Sequence, residues 1–194
     1  MRQLSLYCKK FGCFRAVDRG NPIKSDFMNL LPIAKVLGVT PRSLRGIYMK
    51  YYPDEEVDMM MEDNHLGFKT IPIRPLIEFQ KKLKKRVVSH FQYAIGFNQQ
   101  ELSRVLHIDT RTIQRYKKDA HSALPIEVSD RVVALASLLV KGLEVFEDKE
   151  AFYGWLNDPN EALEYQKPIV LLESTLGINQ VMTELGRIEH GIFA

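Results

Sequence analysis

Residues 98–118 read NQQELSRVLHIDTRTIQRYKK, and their spacing predicts two short helices joined by a turn. Asn98 is suited to cap the first helix because Glu101 stands at the third helical position, as in a capping box. A three-residue turn at 107–109 then leads into a second helix over 110–118. Two short helices with so brief a connection are typical of a helix-turn-helix.

The second predicted helix carries the residue types that recognise DNA. Asp109 or Thr110 is suited to cap its start. Ile113 points inward, toward an apolar plug with Leu102, Leu106 and Ile108. Arginine and glutamine suit guanine and adenine edges, and lysine suits phosphate. The candidate DNA-binding residues are Gln99, Arg104, Thr110, Arg111, Thr112, Gln114, Arg115, Lys117 and Lys118.

The segment before this unit has apolar residues every three or four positions, at Leu76, Phe79, Leu83 and Val87. This period predicts one amphipathic helix over 75–94, which Gly96 ends.

Charge is distributed unevenly along the 194 residues, although the net charge is only +3. Residues 81–118 hold ten basic and two acidic side chains, whereas residues 144–194 hold three basic and ten acidic ones. A basic middle favours contact with a polyanion. The alternative is that the middle is an ordinary amphipathic helix pair with a solvated basic face, and the turn spacing favours DNA over it.

An upstream segment repeats the pattern of this unit. Residues 33–44 align without gaps on residues 102–113, at a constant offset, with Gly38 in the turn and Pro41 in the first turn of the next helix. Two interpretations remain open: a second DNA-contacting unit, or a helical hairpin that packs or dimerises. Residues 52–69 between the two blocks read as a loop or a poorly formed helix.

The remainder of the chain also predicts helices, so the expected fold class is all-α. A long helix spans 128–146, Asp148 caps a shorter one over 149–156, and an Asn and Pro cluster stops it. Pro168 starts a short helix through Leu172, and a final amphipathic helix begins near residue 178 and ends near Gly191.

Several classes of function are disfavoured. Cys8 and Cys13 are too few for a structural zinc site, and the five histidines are scattered, so no metal and no cofactor is expected. No glycine-rich phosphate loop or nucleophile elbow is present, which argues against an enzyme. The N-terminus lacks the apolar core of a signal peptide, and no apolar run is long enough for a membrane span. We expect a cytoplasmic protein that does not bind membranes.

Three motifs near the C-terminus resemble the toxin-binding domain of the Xre/MbcA/ParS-type antitoxins. They are WLNDPNEAL at 155–163, PIVLLES at 168–174 and GRIEHGIFA at 186–194. The resemblance extends back to residue 71, and it departs from the family at 164–167, where EYQK replaces a glycine-rich turn. The expected organisation is an N-terminal helical extension over 1–70, a helix-turn-helix DNA-binding domain over 71–146 and a small helical toxin-binding domain over 147–194.

The resemblance implies a partner toxin of the RES type, which consumes NAD or transfers from it, and a C-terminal tail that covers the toxin's active site. It also implies binding to promoter DNA of the protein's own operon, as a homodimer and within a larger toxin–antitoxin hetero-oligomer. A stand-alone helix-turn-helix regulator is the alternative. The candidate toxin-binding residues are Trp155, Asn157, Pro159, Asn160, Arg187, Glu189, His190, Gly191, Phe193 and Ala194.

Individual residues of that set suit different contacts. Arg187 offers a planar guanidinium to carboxylates or phosphates, Glu189 suits basic groups that would hold a dinucleotide, and Phe193 suits an apolar pocket. The alternative for all three is a solvated helix end with Phe193 covering the core. For Trp155 a place in the core is the preferred interpretation.

Overall fold

The computed structural model describes residues 30–51 and 73–191, and every regular element in those two ranges is helical. The predicted all-α class is confirmed. The described residues form two compact units, 30–137 and 138–191, and the division falls within the longest helix. The expected loop at 52–69 lies outside the described ranges.

The helices are labelled in chain order. The first unit contains α1 Leu30–Val36, α2 Pro41–Tyr48, α3 Ile73–Lys82, α4 Arg86–Ile95, α5 Gln99–Leu106 and α6 Thr110–Lys118. The long helix α7 is Ile126–Phe146. The second unit continues with α8 Lys149–Asn157, a 3-10 turn Glu161–Leu163, α9 Pro168–Leu171 and α10 Thr175–Glu189.

The core of the first unit centres on α4. This helix packs against both α1 and α6, while α2 packs against α1 and α3. Phe79 of α3 and Phe91 of α4 are fully buried, and the Phe91 ring meets the Phe97 ring edge-on at a centroid distance of 6.4 Å. Burial of such rings contributes about 2 to 3 kcal/mol each, so these two anchor the helices that carry the α5–α6 pair.

The prediction of one helix over 75–94 is wrong, because the chain breaks at residues 83–85 into α3 and α4. The break pairs with the loop after α6: the Leu124 amide donates to the Leu83 carbonyl at 2.9 Å, and the Lys85 amide donates to the Ser122 carbonyl at 3.0 Å. Leu83 and Val87 are buried on both sides of the break, so the apolar period continues through it. Periodicity alone therefore could not reveal it.

Three buried aromatic side chains lie together in the core of the second unit. The ring of Trp155 lies 5.5 Å from that of Phe146 and 6.1 Å from that of Phe152, measured between centroids. Helix α8 approaches α7 closely at Gly142, where an added Cβ would lie 2.4 Å from the Phe152 ring. The glycine is therefore needed for this helix contact, since a methyl group there would overlap the ring.

The segment EYQK forms a tight turn without glycine. Glu164 and Tyr165 both adopt left-handed backbone conformations, with φ of 56° and 61°, and the Gln166 amide donates to the Leu163 carbonyl at 3.0 Å. Two successive left-handed residues define a type I′ turn, which normally selects Asn and Gly. The chain thus keeps a glycine-type turn with side chains that disfavour it.

We expect Tyr165→Gly to stabilise the second unit. A left-handed conformation costs an L-residue about 1 to 2 kcal/mol, and glycine would remove this cost. The greater freedom of glycine in the unfolded chain would offset roughly 0.5 to 1 kcal/mol of the stabilisation. The net gain should be about 0.5 to 1 kcal/mol. Urea unfolding followed by fluorescence of Trp155, the only tryptophan, measures it in the unit concerned. Tyr165→Ala is the matched control, because it removes the same ring but keeps the strain; an equal gain from alanine would contradict the explanation.

Candidate functional site

Helix α5, the turn and helix α6 form the helix-turn-helix that the sequence predicts. The Asn98 side chain accepts from the Glu101 amide at 2.9 Å, and the Glu101 carboxylate accepts from the Asn98 amide at 2.8 Å. This is the predicted capping box. His107 ends α5 in a left-handed conformation with φ of 54°.

The cap of α6 is Asp109 rather than Thr110. Its carboxylate accepts from the Thr112 amide at 2.7 Å and from the Thr112 hydroxyl at 2.9 Å. These hydrogen bonds hold the pKa of Asp109 below its ordinary value. The capped end fixes the direction in which α6 leaves the turn.

A glutamine pair links the two helices on the exposed side. The Gln114 side-chain amide donates to the Gln99 side-chain oxygen at 3.0 Å, and the Gln99 side-chain amide donates to the Thr110 carbonyl at 3.1 Å. The bond to Gln99 thereby restrains the orientation of the exposed Gln114 side chain. Orientation of this kind reduces the entropy that is lost when a side chain binds.

None of the nine candidate DNA-binding residues is buried, and the cations of α6 are exposed whereas Ile113 and Tyr116 of the same helix are buried. Gln99 and Thr112 are half-buried through the hydrogen bonds described above. The structure thus places arginine, lysine and glutamine donors at the surface of the α5–α6 pair. The exposed members are Arg104, Thr110, Arg111, Gln114, Arg115, Lys117 and Lys118.

Two basic residues with a supporting role were missed by the sequence analysis. The Lys85 ammonium lies 2.5 Å from the Asp119 carboxylate and 5.4 Å from the centroid of the Tyr116 ring, and this pair lowers the pKa of Asp119. The Arg131 guanidinium of α7 donates to the Val105 carbonyl at the end of α5. Each contact spans more than twenty residues, so no local pattern signals it.

The first part of the candidate toxin-binding set is largely structural. Trp155 is 3% exposed and Asn160 is 6% exposed, and the Asn160 side chain accepts from the Ala162 amide at 2.8 Å to cap the 3-10 turn. Asn157 is half-buried and donates to the Tyr153 carbonyl at 2.9 Å, whereas Pro159 is exposed. Trp155 therefore lies in the core, as the sequence predicted, and Pro159 is the accessible member of this motif.

The end of α10 carries the second part of the set in two ion pairs. The Lys141 ammonium lies 2.7 Å from the Glu189 carboxylate. The Arg187 guanidinium lies 3.6 Å from the Glu184 carboxylate. The side chain of Arg187 is 42% exposed and that of Glu184 only 6%. His190 and Gly191 are exposed beyond the helix, whereas Phe193 and Ala194 lie outside the described residues.

Across residues 30–51 and 73–191, no three His, Cys, Asp or Glu side chains are arranged to hold a metal ion. In the same ranges, no helix is long and apolar enough to cross a bilayer.

The capped helix pair and its cationic second helix define a protein of the helix-turn-helix class. Residues 78–137 match the model described as the antitoxin Xre-like helix-turn-helix domain. Residues 141–191 match the model described as the antitoxin Xre/MbcA/ParS C-terminal toxin-binding domain. Together the two matches cover more than half of the chain, with the helix-turn-helix domain before the toxin-binding domain. The chain belongs to the Xre/MbcA/ParS-type antitoxin family.

Two curated relatives carry the name Antitoxin Xre. The protein from Yersinia enterocolitica is 28% identical over 95 residues, which cover 48% of this chain and 64% of the relative. The protein from Photorhabdus laumondii is 26% identical over 107 residues, which cover 55% of this chain and 72% of the relative. The match thus spans less than two thirds of the length of the first of these relatives.

The buried carboxyl group of Glu184 should make the free energy of unfolding depend on pH. Burial raises the pKa of its carboxyl above the ordinary value of 4.5, and Arg187 offsets only part of this shift. Between 4.5 and the raised pKa, the folded chain binds the proton more readily than the unfolded chain, so stability should fall as pH rises through that interval. Glu184→Gln should remove this fall in Trp155-monitored urea unfolding, while the exposed control Glu164→Gln should retain it. An unchanged fall in Glu184→Gln would contradict the assignment.

Proposed function

We propose that this protein is the antitoxin of a type II toxin–antitoxin system, which neutralises a RES-domain toxin and represses its own operon. The observation that carries the proposal is the succession of an exposed, preoriented helix-turn-helix and a match to the toxin-binding domain in a single chain. The protein is proposed to act without catalysis or cofactor, in the cytoplasm, where both promoter DNA and toxin would be found.

Helix α6 is proposed to enter the major groove of promoter DNA. The fixed Gln114 amide matches the paired donor and acceptor of adenine, and Arg115 matches the two acceptors of guanine. Lys117 and Lys118 at the end of the helix suit phosphate. The charge of the middle segment supports the proposal, because release of counterions from DNA supplies much of the affinity of such proteins.

The second unit is proposed to bind the toxin. Its segment 144–194 has ten acidic and three basic side chains, and a RES toxin, as an enzyme that uses NAD, needs basic groups around the phosphates of its substrate. Pro159, Arg187, Glu189, His190 and Gly191 supply the accessible groups, with Phe193 and Ala194 following in the sequence. Glu189 would exchange its bond to Lys141 for one to the toxin.

The functional assembly is proposed to be a homodimer on DNA and a larger hetero-oligomer with toxin, because two-fold symmetry of a regulator matches a palindromic operator. The alternative is a stand-alone regulator. The neighbouring reading frame distinguishes them: a toxin gene beside this one supports the antitoxin, and its absence supports the regulator.

Arg115→Ala should weaken binding to the chain's own promoter fragment by about 1 to 3 kcal/mol, because a bidentate contact with a base is lost. Fluorescence anisotropy at fixed salt measures the dissociation constant. Arg74→Ala, which removes an exposed cation from α3, is the matched control and should bind like the parent. Equal binding by Arg115→Ala and the parent would remove Arg115 from the interface.

Deletion of residues 187–194 should release the toxin while promoter binding persists, because the deleted groups are those assigned to the toxin. Growth and cellular NAD, scored with the adjacent gene co-expressed, report neutralisation. Lys141→Met is the control, since it removes the ion pair to Glu189 but keeps the tail, and it should still neutralise. Persistent neutralisation by the deletion would contradict the role of the tail.

A further inference from the structure

The N-terminal helix pair α1–α2 repeats the geometry of the α5–α6 pair. In both, a left-handed residue follows the first helix, Gly38 with φ of 65° and His107 with φ of 54°. In both, the second helix starts from an extended cap, Thr40 with φ and ψ of −71° and 144°, and Asp109 with −69° and 157°. The constant offset of 69 positions in the sequence is therefore also a correspondence in backbone conformation.

The hydrogen bonds of the two turns also correspond. The Val39 amide donates to the Ala34 carbonyl at 2.8 Å, as Ile108 donates to Ser103 at 3.2 Å. The cap bond corresponds as well, since the Ser43 amide donates to the Thr40 hydroxyl oxygen at 3.3 Å. In the second pair, the Thr112 amide donates to the Asp109 carboxylate at 2.7 Å.

Burial follows the same register. The four inward positions of the first pair are buried, and so are the four positions that correspond to them in the second. The matched residues are Ile33 and Leu102, Leu37 and Leu106, Leu44 and Ile113, and Ile47 and Tyr116. Residues 30–48 thus form a second helix-turn-helix within the first unit, and its inner face is used in packing against α3 and α4.

The outer face of the α1–α2 pair is basic. Residues 30–51 contain four basic and no acidic side chains. Lys50 is bonded to Glu78 at 2.5 Å, whereas Lys35 and Arg42 are exposed, beside exposed Ser43 and Gly46. Arg42 occupies the position that corresponds to Arg111, and Lys35 the one that corresponds to Arg104.

Base-reading groups are not repeated on this face. The positions that correspond to Thr110 and Arg115 hold Pro41 and Gly46, and Arg45, which corresponds to Gln114, donates to the Met49 sulfur at 3.2 Å. The retained groups, two cations and a hydroxyl, are those that bind phosphate without regard to sequence.

We propose that the α1–α2 unit is a second DNA contact, in which Lys35 and Arg42 bind the phosphate backbone of the duplex that α6 reads. The inference rests on the proposed DNA binding. Charge selects this occupant over a second copy of the chain, because residues 30–51 contain no acid and a two-fold axis through their exposed face would place like charges against each other.

The test compares Lys35→Ala/Arg42→Ala with Arg74→Ala/Lys167→Ala, a control that also removes one exposed lysine and one exposed arginine. Dissociation constants for the promoter fragment and for a scrambled duplex are measured at several salt concentrations. Each lost phosphate contact should reduce the slope of log K against log salt by about 0.9. Between about 50 and 200 mM salt, the parent should therefore lose roughly tenfold more affinity than the test variant.

The preference for promoter over scrambled duplex should stay at the parental value in the test variant, because phosphate contacts do not read sequence. Urea unfolding confirms that both variants are folded. A parental salt slope in the test variant, with Arg115→Ala still weakening promoter binding, would overturn this inference alone. A change of oligomeric state by sedimentation, with a parental slope, would identify the face as a dimer contact and overturn it too. Absence of DNA binding by the parent would overturn the proposed function as well.

Discussion

The helices that carry the candidate DNA interface are too short to form by themselves. Helices α5 and α6 have eight and nine residues, whereas isolated helices in water need more than about 12 to 15 residues to be even marginally populated. Caps and tertiary contacts therefore have to supply the difference. Asn98 and Asp109 satisfy the free amides at the two starts, and Arg131 satisfies a carbonyl at the end of α5. These terminal hydrogen bonds fix where α5 ends and α6 begins, and so help to set the face that α6 exposes.

The caps explain why this part of the fold was predictable. A capping box is encoded within four residues, and the helix starts at Asn98 and Asp148 follow from the sequence. The break between α3 and α4 depends instead on bonds to residues 120–124, and an apolar period that continues through the break conceals it. The role of Arg131 is hidden for the same reason, since its acceptor is a backbone carbonyl 26 residues away.

The candidate sites were predictable to a different extent. Exposure of the cations on α6 follows from helical spacing, because Ile113 and Tyr116 fix the buried face. In the second unit, sequence motifs mark residues of mixed roles: Trp155 and Asn160 are buried, and Glu189 is already paired with Lys141. A motif records what a domain needs in order to fold as well as what it binds, and only burial separates the two.

The bond between Gln99 and Gln114 has a consequence for how such proteins diverge. Because Gln114 is held by a neighbour on another helix, a new residue at position 114 would leave the Gln99 side chain without this partner. On the proposed role of α6 in reading DNA, a change of base preference at position 114 would therefore involve two coupled positions. For a protein that represses its own operon, as proposed for this one, such coupling would slow the drift of its operator toward that of a related system in the same cell.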